Sequence, residues 1–381
     1  MAIFVRFLTI NAIYLLLLTI GCFIALALQL IYLILFLIAF SRDKKELSNE
    51  PRAVSIIVCA HDEEDNLKEL VPLLLQQNHP QFEVIVIEDR CNDGTYDYLL
   101  HATKENERLK MVRVVNKPDH VSGKKYGLTL GIKAAKYDWV LLTDADCRPA
   151  NGNWMMRMTE KYHTDTRVVL GFSPYLKQPG LLNAFIRFES FVTGIQFIGL
   201  ALLGKPYMGV GRNLLYHKSL FLENKGFNKH LSVTGGDDDL FVNQHATRKN
   251  TLVQIGTEAL TFSKPKATWS DFYYQKLRHL SVGRRYMGLD RFILGVFALS
   301  WLLSCFLVIP VSFFSPLMGW LLGAFLLRSI LLSILFHQAS RKLGEPFEIW
   351  KVGFLDFIYA FYYLVAGAAA LTAKRIRWKR N

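Results

Sequence analysis

A run of 34 residues without a charge, Phe7 to Phe40, is the feature that most constrains this chain of 381 residues. About 20 apolar residues already span the hydrocarbon core of a bilayer, so this run is long enough to cross it with tilt. A cleaved signal peptide would have an apolar region about half as long, ending in small residues. The sequence therefore predicts a transmembrane anchor, and residues 1–45 are assigned to the anchor and its linker.

The linker "SRDKKELSNEPR" follows the anchor and is polar and charged. Arg42, Lys44 and Lys45 predict that this side of the membrane is the cytoplasm, because basic residues beside a span stay inside. We therefore expect an integral membrane protein of the bacterial inner membrane. Its N-terminus would lie outside, and the domain after the linker would lie in the cytoplasm.

Residues 286–381 are again rich in apolar residues and form a predicted C-terminal membrane region. Two spans are expected near 292–312 and 317–337, joined by "SFFSP" as a hairpin that returns to the cytoplasm. A third stretch, 352–373, either crosses the membrane or lies along its interface. If it crosses, the basic tail "KRIRWKRN" lands outside, against the positive-inside rule. Asp356 and the neighbouring tyrosines favour the interface.

The net charge of +13 raises the question of nucleic-acid binding. Much of the excess flanks the apolar segments, where basic residues contact anionic lipid headgroups. No nucleic-acid-binding motif accompanies the charge, so nucleic acid is excluded as a partner. The five cysteines include no Cys-x-x-Cys pair, which argues for reduced thiols and against a zinc site.

Strand and helix patterns alternate from residue 53 onward, which predicts a mostly parallel sheet with helices on both faces. Strands are expected at Val54–Cys59, Val84–Ile87, "KMVRVV" and "DWVLLTDAD", with helices between them. Acidic residues follow two of these strands, Glu88 and Asp89 after one, and Asp144 and Asp146 after another. Ligands of open α/β sheets bind at the carboxyl ends of the strands, so we expect the chemistry at this edge.

Four blocks in this region, "VSIIVCAHDEEDNLKELVPLLLQQ", "VIVIEDRCNDGT", "GKKYGLTLGI" and "LLTDADC", resemble the ordered blocks of family 2 inverting glycosyltransferases. The resemblance covers roughly residues 53–285 and rests on the order and spacing of the blocks. It implies a GT-A fold, with residues 46–285 as the catalytic domain. It also implies transfer of a sugar, of the hexosyl or N-acetylhexosaminyl type, from a nucleotide-sugar donor.

The diphosphate of such a donor needs a divalent cation, Mg²⁺ or Mn²⁺, held by one or two carboxylates. Asp146 is the predicted metal ligand, and Asp144 is expected to contact the metal through water or the ribose. By resemblance Asp89, preceded by Glu88, would face the base of the nucleotide. Lys124 is expected to approach the donor, unless it is a solvated helix lysine.

Inverting transfer is a single displacement, so one base must deprotonate the incoming hydroxyl. The family pattern Gly-Glu-Asp-x-Asp-Leu aligns with 235–240 and implies that Asp237 is this base and that Asp239 orients the site. Gly236 stands where the family has an acid. Acids at a helix start are also stabilised by the helix dipole, which is the alternative explanation of the three aspartates.

Two further segments match the family pattern less closely. Gly209, Gly211 and Asn213 look like its acceptor-side turn, although a β-bulge also explains the glycines. Gln275 and Arg278 align with its Gln-x-x-Arg-Trp signature, without the tryptophan. In that case Arg278 would hold the donor pyrophosphate and Gln275 would position the acceptor, whereas the alternative is a basic helix at the membrane surface.

The stretch 181–204 carries Arg187 and Glu189 in an otherwise apolar segment. It is either an amphipathic helix at the membrane or a buried core helix. A catalytic domain tied to the membrane at both ends favours a lipid or lipid-linked glycan acceptor, as in cell-envelope polysaccharide or glycolipid synthesis. The two alternatives are a processive polysaccharide synthase, which usually needs more spans, and a membrane scaffold that lacks activity.

Overall fold

The computed structural model describes residues 2–42, 51–160, 164–233 and 235–372. Lys44, Lys45 and the basic tail from residue 374 lie outside this part of the chain. The strands are β1 Val54–Ala60, β2 Phe82–Asp89, β3 Leu109–Val114, β4 Trp139–Asp144, β5 Cys147–Pro149, β6 Val168–Gly171, β7 Leu214–His217, β8 Thr251–Gln254 and β9 Thr261–Ser263.

The helices alternate with the strands in the middle of the chain and follow one another at its end. They are α1 Ala2–Ser41, α2 Glu64–Leu75, α3 Thr95–Glu105, α4 Gly123–Ala134, α5 Trp154–Thr159, α6 Leu181–Leu202, α7 Lys218–Glu223, α8 Asp239–His245, α9 Trp269–Gly283, α10 Gly288–Phe306, α11 Val308–Ser312, α12 Met318–Leu343 and α13 Val352–Thr372.

Seven strands form the main sheet, in the order β3-β2-β1-β4-β7-β6-β8. The strands β1 to β4 pair in parallel, β7 is antiparallel to both of its neighbours, and β6 and β8 are parallel. Strands β5 and β9 form a separate antiparallel pair. The predicted mixed, mostly parallel sheet is confirmed, and the four predicted strands match β1 to β4.

The two faces of the sheet bury different apolar layers because side chains alternate along each strand. Ile56 and Val84 lie in one layer with residues of α2, α3 and α5, whereas Ile57 and Ile85 lie in the other with residues of α4 and α6. Every position of β2 is buried, as expected for a parallel strand covered on both sides. Helices therefore lie on both faces, as the sequence predicts.

Five helices are long and apolar enough to cross a membrane, among the described residues: the part of α1 from Ala12, α6, α10, α12 and the segment Ile349–Ala370, which includes α13. Helix α1 packs on α10, where the Gln29 side chain donates hydrogen bonds to Ser300 Oγ at 2.8 Å and to the Phe297 carbonyl at 3.1 Å. Phe36 and Phe40 of α1 pack against α6, in the same apolar cluster as the sheet. The helices and the sheet domain thus share one core.

Helix α6 is a buried helix, which decides between the two expectations for this stretch. Arg187 is 3% exposed and donates hydrogen bonds to Glu345 and Glu348, in the segment between α12 and α13. Asp356 of α13 is also buried and pairs with Arg328 of α12. Because this carboxylate is neutralised inside the helix bundle, it no longer favours the interfacial placement of α13.

Candidate functional site

One cavity of about 1900 Å³ opens at the carboxyl ends of β1, β2 and β4 and continues between α6, α9, α10 and α13. The parallel register places Ala60 opposite Glu88 and Cys59 opposite Asp144, so the turns after these strands lie side by side. Besides Asp62 and Glu63 in the turn after β1, three segments of the sequence that carry predicted site residues contribute acids to the cavity. They are Asp89, then Asp144 and Asp146, then Asp237, Asp238 and Asp239.

Lys124, the second residue of α4, joins two of the predicted site carboxylates. Its Nζ lies 2.8 Å from Asp144 Oδ1 and 3.3 Å from Asp237 Oδ2. Burial by itself would lower the pKa of Lys124 and raise that of Asp144. The attraction between the two charges outweighs burial, so the pKa of Lys124 is raised and that of Asp144 is lowered. Lys124 is therefore part of the site and not a solvated helix lysine.

The three consecutive aspartates have different surroundings. Asp238 is the N-cap of α8, and its carboxylate accepts hydrogen bonds from the Asp239 and Gly211 amides at 2.8 and 2.6 Å. Asp239 accepts from the Leu240 amide and from the Tyr286 hydroxyl at 2.9 Å. Burial, reinforced by the charge of Asp238, raises the pKa of Asp239 to about 8. Stabilisation of an acid at the start of a helix therefore explains Asp238, whereas Asp237 faces Lys124.

The turn before these aspartates explains the glycine that replaces the family's acid. Gly235 and Gly236 have φ angles of +83° and +73°, a region that L-residues with a side chain rarely adopt. A Cβ on Gly236 would also lie 2.6 Å from Leu240 Cδ1. The turn delivers Asp237 to the cavity through backbone geometry that an acid at position 236 would strain.

Asp146 lies in the turn after β4 and lines the cavity. Burial and the nearby charge of Asp144 raise the pKa of Asp146. No ion pair to Asp146 is formed among the residues that the structure describes. Asp144 is paired with Lys124, whereas Asp146 has no such counter-charge in the described part of the chain. Two neighbouring carboxylates are a donor set that suits Mg²⁺ or Mn²⁺, so the residues present fit a divalent cation.

Asp89, at the end of β2, lines the cavity and accepts a hydrogen bond from Arg90 Nε at 2.7 Å. Glu88 is not brought to the cavity with it. Because side chains alternate along a strand, Glu88 points to the other face, where it accepts hydrogen bonds from the Cys91 amide at 2.6 Å and from Arg113 Nε at 3.1 Å. Its placement at the donor is therefore corrected to a role in holding the turn after β2.

Gln275 and Arg278 both line the cavity from α9, one helical turn apart. Gln275 Nε2 donates to the Tyr175 hydroxyl at 3.4 Å, and the buried Gln275 Oε1 has no hydrogen-bond partner among the described residues. Burial raises the pKa of Asp144, but the charges of Lys124, Arg212 and then Arg278 lower it, and the net result is a lowered pKa. Helix α9 is thus a wall of the cavity and not only a basic surface helix.

Gly211 and Asn213 do not line the cavity, so their placement at the acceptor is corrected. Asn213 is fully buried, and its amide pairs with Trp154 Nε1 and with the Phe172 and Ala259 carbonyls at 2.8 to 3.0 Å. Its side-chain nitrogen and oxygen are thereby both engaged within the core. Gly211 instead donates its amide to Asp238.

The structure adds residues that the sequence patterns did not indicate. Arg212, between those two positions, lines the cavity, stacks 4.6 Å from the centre of the Tyr175 ring and donates to Ser263 Oγ at 2.8 Å. Lys125 donates to the His230 and Val233 carbonyls and so holds the loop before Asp237. Lys125 lies within the block "GKKYGLTLGI" and Arg212 lies between Gly211 and Asn213, and these positions are the signal that would have found them.

Comparison with known proteins shows what the sheet domain is similar to. Residues 55–223 match the family model for glycosyl transferase family 2. The chain carries a family 2 glycosyltransferase domain. The probable glycosyltransferase YdaM of Bacillus subtilis strain 168 is 22% identical to this chain over 327 residues, which are 82% of this chain and 74% of that protein.

The poly-beta-1,6-N-acetyl-D-glucosamine synthase of Staphylococcus epidermidis is 28% identical over 103 residues. This match covers 27% of the chain described here and 24% of the synthase. Among solved structures, a mannosyltransferase from Pyrobaculum calidifontis, in complex with GDP-Man and Mn²⁺, superimposes with a TM-score of 0.60. It is 16% identical, and the superposition covers 95% of this chain and 99% of that one. The predicted GT-A fold is confirmed.

Proposed function

We propose that the protein transfers a sugar from a nucleotide-sugar donor to a membrane-associated acceptor, a lipid or lipid-linked glycan, by metal-dependent displacement with inversion. The observation that carries this proposal is a single cavity that joins the carboxylate cluster to helices long and apolar enough to cross a membrane. A donor from the cytoplasm and an acceptor held in the bilayer would meet in this cavity.

Asp144 and Asp146 are the proposed ligands of a divalent cation. The mannosyltransferase of similar fold contains Mn²⁺ and GDP-Man, which supports this proposal. A cation at this position neutralises the diphosphate of the donor. Arg278 and Arg212, on two other walls of the same cavity, add positive charge for the diphosphate that leaves.

Asp237 is the proposed base. The acceptor oxygen forms a bond to the anomeric carbon while the bond from that carbon to the donor phosphate oxygen breaks. The hydroxyl proton passes to the Asp237 carboxylate, and the nucleoside diphosphate leaves with the bonding electrons. Asp89 would accept a hydrogen bond from the nucleotide base. Asp239, which accepts a hydrogen bond from Tyr286, would hold in place the loop that carries Asp237.

A processive polysaccharide synthase is the second candidate, favoured by the match to the poly-N-acetylglucosamine synthase over 103 residues. It would produce long chains, whereas a single transfer adds one sugar, so the length of the product separates the two. A scaffold without activity is disfavoured because the charged residues that transfer needs all line one cavity: Asp89, Lys124, Asp144, Asp146, Asp237 and Arg278.

The test is nucleotide release by the detergent-purified protein across a panel of nucleotide sugars, with Mn²⁺, with Mg²⁺ and with chelator. We expect release from one donor, abolished by chelator. Calorimetry with the same panel measures donor binding without an acceptor. Absence of both release and binding across the panel would exclude the proposed transferase activity and leave the scaffold.

A further inference from the structure

The cavity changes its chemistry away from the carboxylates. Helices α10 and α13 contribute the aromatic residues Trp301, Tyr359, Tyr362 and Tyr363 to its lining. Six further lining residues of these helices, here called the apolar arm, are Leu294, Gly295, Ala298, Leu302, Leu364 and Gly367. None of these six side chains carries a hydrogen-bonding group. The arm belongs to the same continuous space as Asp144 and Asp237.

The α10 residues of the arm repeat at intervals of three and four, so they share one face of the helix. Residues 294–302 cover roughly 12 Å along the helix axis at 1.5 Å per residue. Small side chains keep the arm open, and at the exposed residues Gly295 and Leu364 it opens sideways to the outside of the helices. A Cβ added at Gly295 would have no atom within 4 Å, and one at Gly367 would meet only the Tyr363 ring, at 3.8 Å. The arm therefore has the width and length for a slender apolar group.

The wall formed by α6 is polar, in contrast to the arm. Glu189, Ser190, Thr193 and Gln196 line the cavity from one side of this helix. Glu189 is 7% exposed and forms an ion pair of 2.5 Å with Lys276 of α9. One continuous space thus offers carboxylates, hydrogen-bonding groups and an apolar arm, which together match the parts of an amphiphilic molecule.

We propose that the apolar arm binds the hydrocarbon chain of the acceptor lipid, while the polar wall of α6 faces its headgroup. This inference rests on the proposed function, since it assigns the place of the acceptor in that reaction. The bound chain orients the headgroup so that its hydroxyl is held toward Asp237. The arm makes the hydrocarbon chain part of what the enzyme recognises.

A saccharide chain is the alternative occupant, and the lining disfavours it. A sugar residue carries several hydroxyl groups, and each costs free energy when it is buried without a hydrogen-bond partner. The six residues of the apolar arm offer no side-chain partner; the Trp301 Nε1 and the Tyr362 hydroxyl, which have no hydrogen-bond partner among the described residues, line the same cavity and are the groups that a sugar could reach. A hydrocarbon chain has no hydrogen bonds to lose in the arm, and its transfer out of water lowers the free energy.

The test uses a long-chain alkyl glucoside with a photoactivatable diazirine in its alkyl chain, added to the full-length protein in lipid nanodiscs. Labelled residues are located by mass spectrometry after irradiation. Inner labels are expected on residues 294, 298, 302 and 367, which line the cavity and are partly buried. Exposed positions such as 364 and 365 are in contact with bulk lipid and should be labelled in any case. Gly295→Leu is expected to lower the inner labelling about tenfold by filling the arm.

The matched control is Gly323→Leu, because Gly323 lies on α12, also has open space at its Cβ and does not line the cavity. It should leave the inner labelling unchanged. Labels confined to outward-facing positions in the wild-type protein would overturn the proposal, as would displacement of the inner label by a water-soluble oligosaccharide. Donor binding, measured separately by calorimetry on the wild-type protein, tests the proposed function, so the two can fail independently.

Discussion

The ammonium of Lys124 lies 3.3 Å from the carboxylate of Asp237, the group we propose as the base. The same ammonium is 2.8 Å from Asp144, a proposed metal ligand. One positive charge from the first turn of α4 thus offsets the repulsion between carboxylates that come from β4 and from the loop before α8. Lys124 connects the donor side of the site to its base.

Replacement of Lys124 by methionine is expected to lower the transfer rate about tenfold or more, because two partly buried carboxylates lose their shared counter-charge. The pKa of Asp144 would rise, so the acid limb of the pH profile should move to higher pH. Lys124→Arg should recover part of the rate. Lys133→Met, an exposed change on the same helix, is the control, and equal rates for the two methionine variants would contradict the prediction.

Asp237→Asn should keep nucleotide binding and lose transfer, by about 10²-fold to 10⁴-fold, the range typical of general-base catalysis. Calorimetry with the nucleotide and product formation would be measured on the same preparation. Asp97→Asn, an exposed change in the first turn of α3, controls for the loss of an acid. If binding disappeared together with transfer, Asp237 would be a donor ligand and not the base.

The raised pKa of Asp239 predicts a pH-dependent stability. Its pKa is about 8 in the folded protein, against an ordinary value near 4. Between about pH 4 and 8 the folded state binds a proton that the unfolded state has lost, so stability falls as pH rises through this window. Asp239→Asn removes the difference, and its Tm should decrease less between about pH 5 and 8 than that of the wild type.

Tyr286→Phe gives the companion test, since the Tyr286 hydrogen bond stabilises the ionised form of Asp239. Without it the Asp239 pKa should rise further, and the loss of stability should extend to higher pH. Asp97→Asn should reproduce the wild-type dependence of Tm on pH. A wild-type Tm that does not change across this window would show that Asp239 is ionised throughout it.

The sheet was predictable because its signals are local. Strand β2 is apolar for most of its length and ends in acids, and parallel pairing then brings Asp89 and Asp144 to one edge. The buried nature of α6 was not predictable from its sequence alone. Arg187 and Glu189 are neutralised by Glu345 and Lys276, which lie far away in the sequence, and this compensation is what allows the helix to be buried.

The two side chains that the structure keeps out of the cavity, Glu88 and Asn213, have different physical reasons for their positions. Glu88 follows the same strand as Asp89, but alternation turns neighbouring side chains to opposite faces, and Arg113 on β3 takes up the Glu88 carboxylate. Asn213 has a side-chain amide, a group that often binds ligands, yet its hydrogen-bond partners all lie in the core. A motif identifies the segment near a site, whereas the direction of each side chain depends on its register and its tertiary partners.

We predict that the stimulation of nucleotide release by a divalent cation requires Asp144 and Asp146. The double variant Asp144→Asn/Asp146→Asn should lower Mn²⁺-stimulated nucleotide release about a hundredfold or more. A different group, Asp62, Cys91 and Asp93, also offers ligand atoms within 4.8 Å of one another, so Asp93→Asn is the matched control. Loss of Mn²⁺ stimulation in Asp93→Asn, with the double variant unaffected, would move the metal site to the loops after β1 and β2.

The Arg328–Asp356 pair predicts a strong and non-additive effect on the stability of the helix bundle. Arg328 is 0% exposed and Asp356 is 2% exposed, and the guanidinium also lies 5.3 Å from the centre of the Trp301 ring. Removing one partner leaves the other charge buried and unpaired, which typically costs about 3 to 5 kcal/mol. Replacing both with apolar residues removes that penalty and can be close to neutral.

We therefore expect Arg328→Met and Asp356→Leu each to be strongly destabilising, and the double variant to be much closer to the wild type. Reversible unfolding in mixed micelles with increasing dodecyl sulfate measures the free energy of unfolding of all three. Arg341→Met, an exposed change in the last turn of α12, controls for the loss of one arginine. Additive costs in the double variant would mean that the two side chains stabilise the bundle independently, by packing. A non-additive result would show that the ion pair joins α12 to α13, and Trp301 would link this junction to the wall of the cavity.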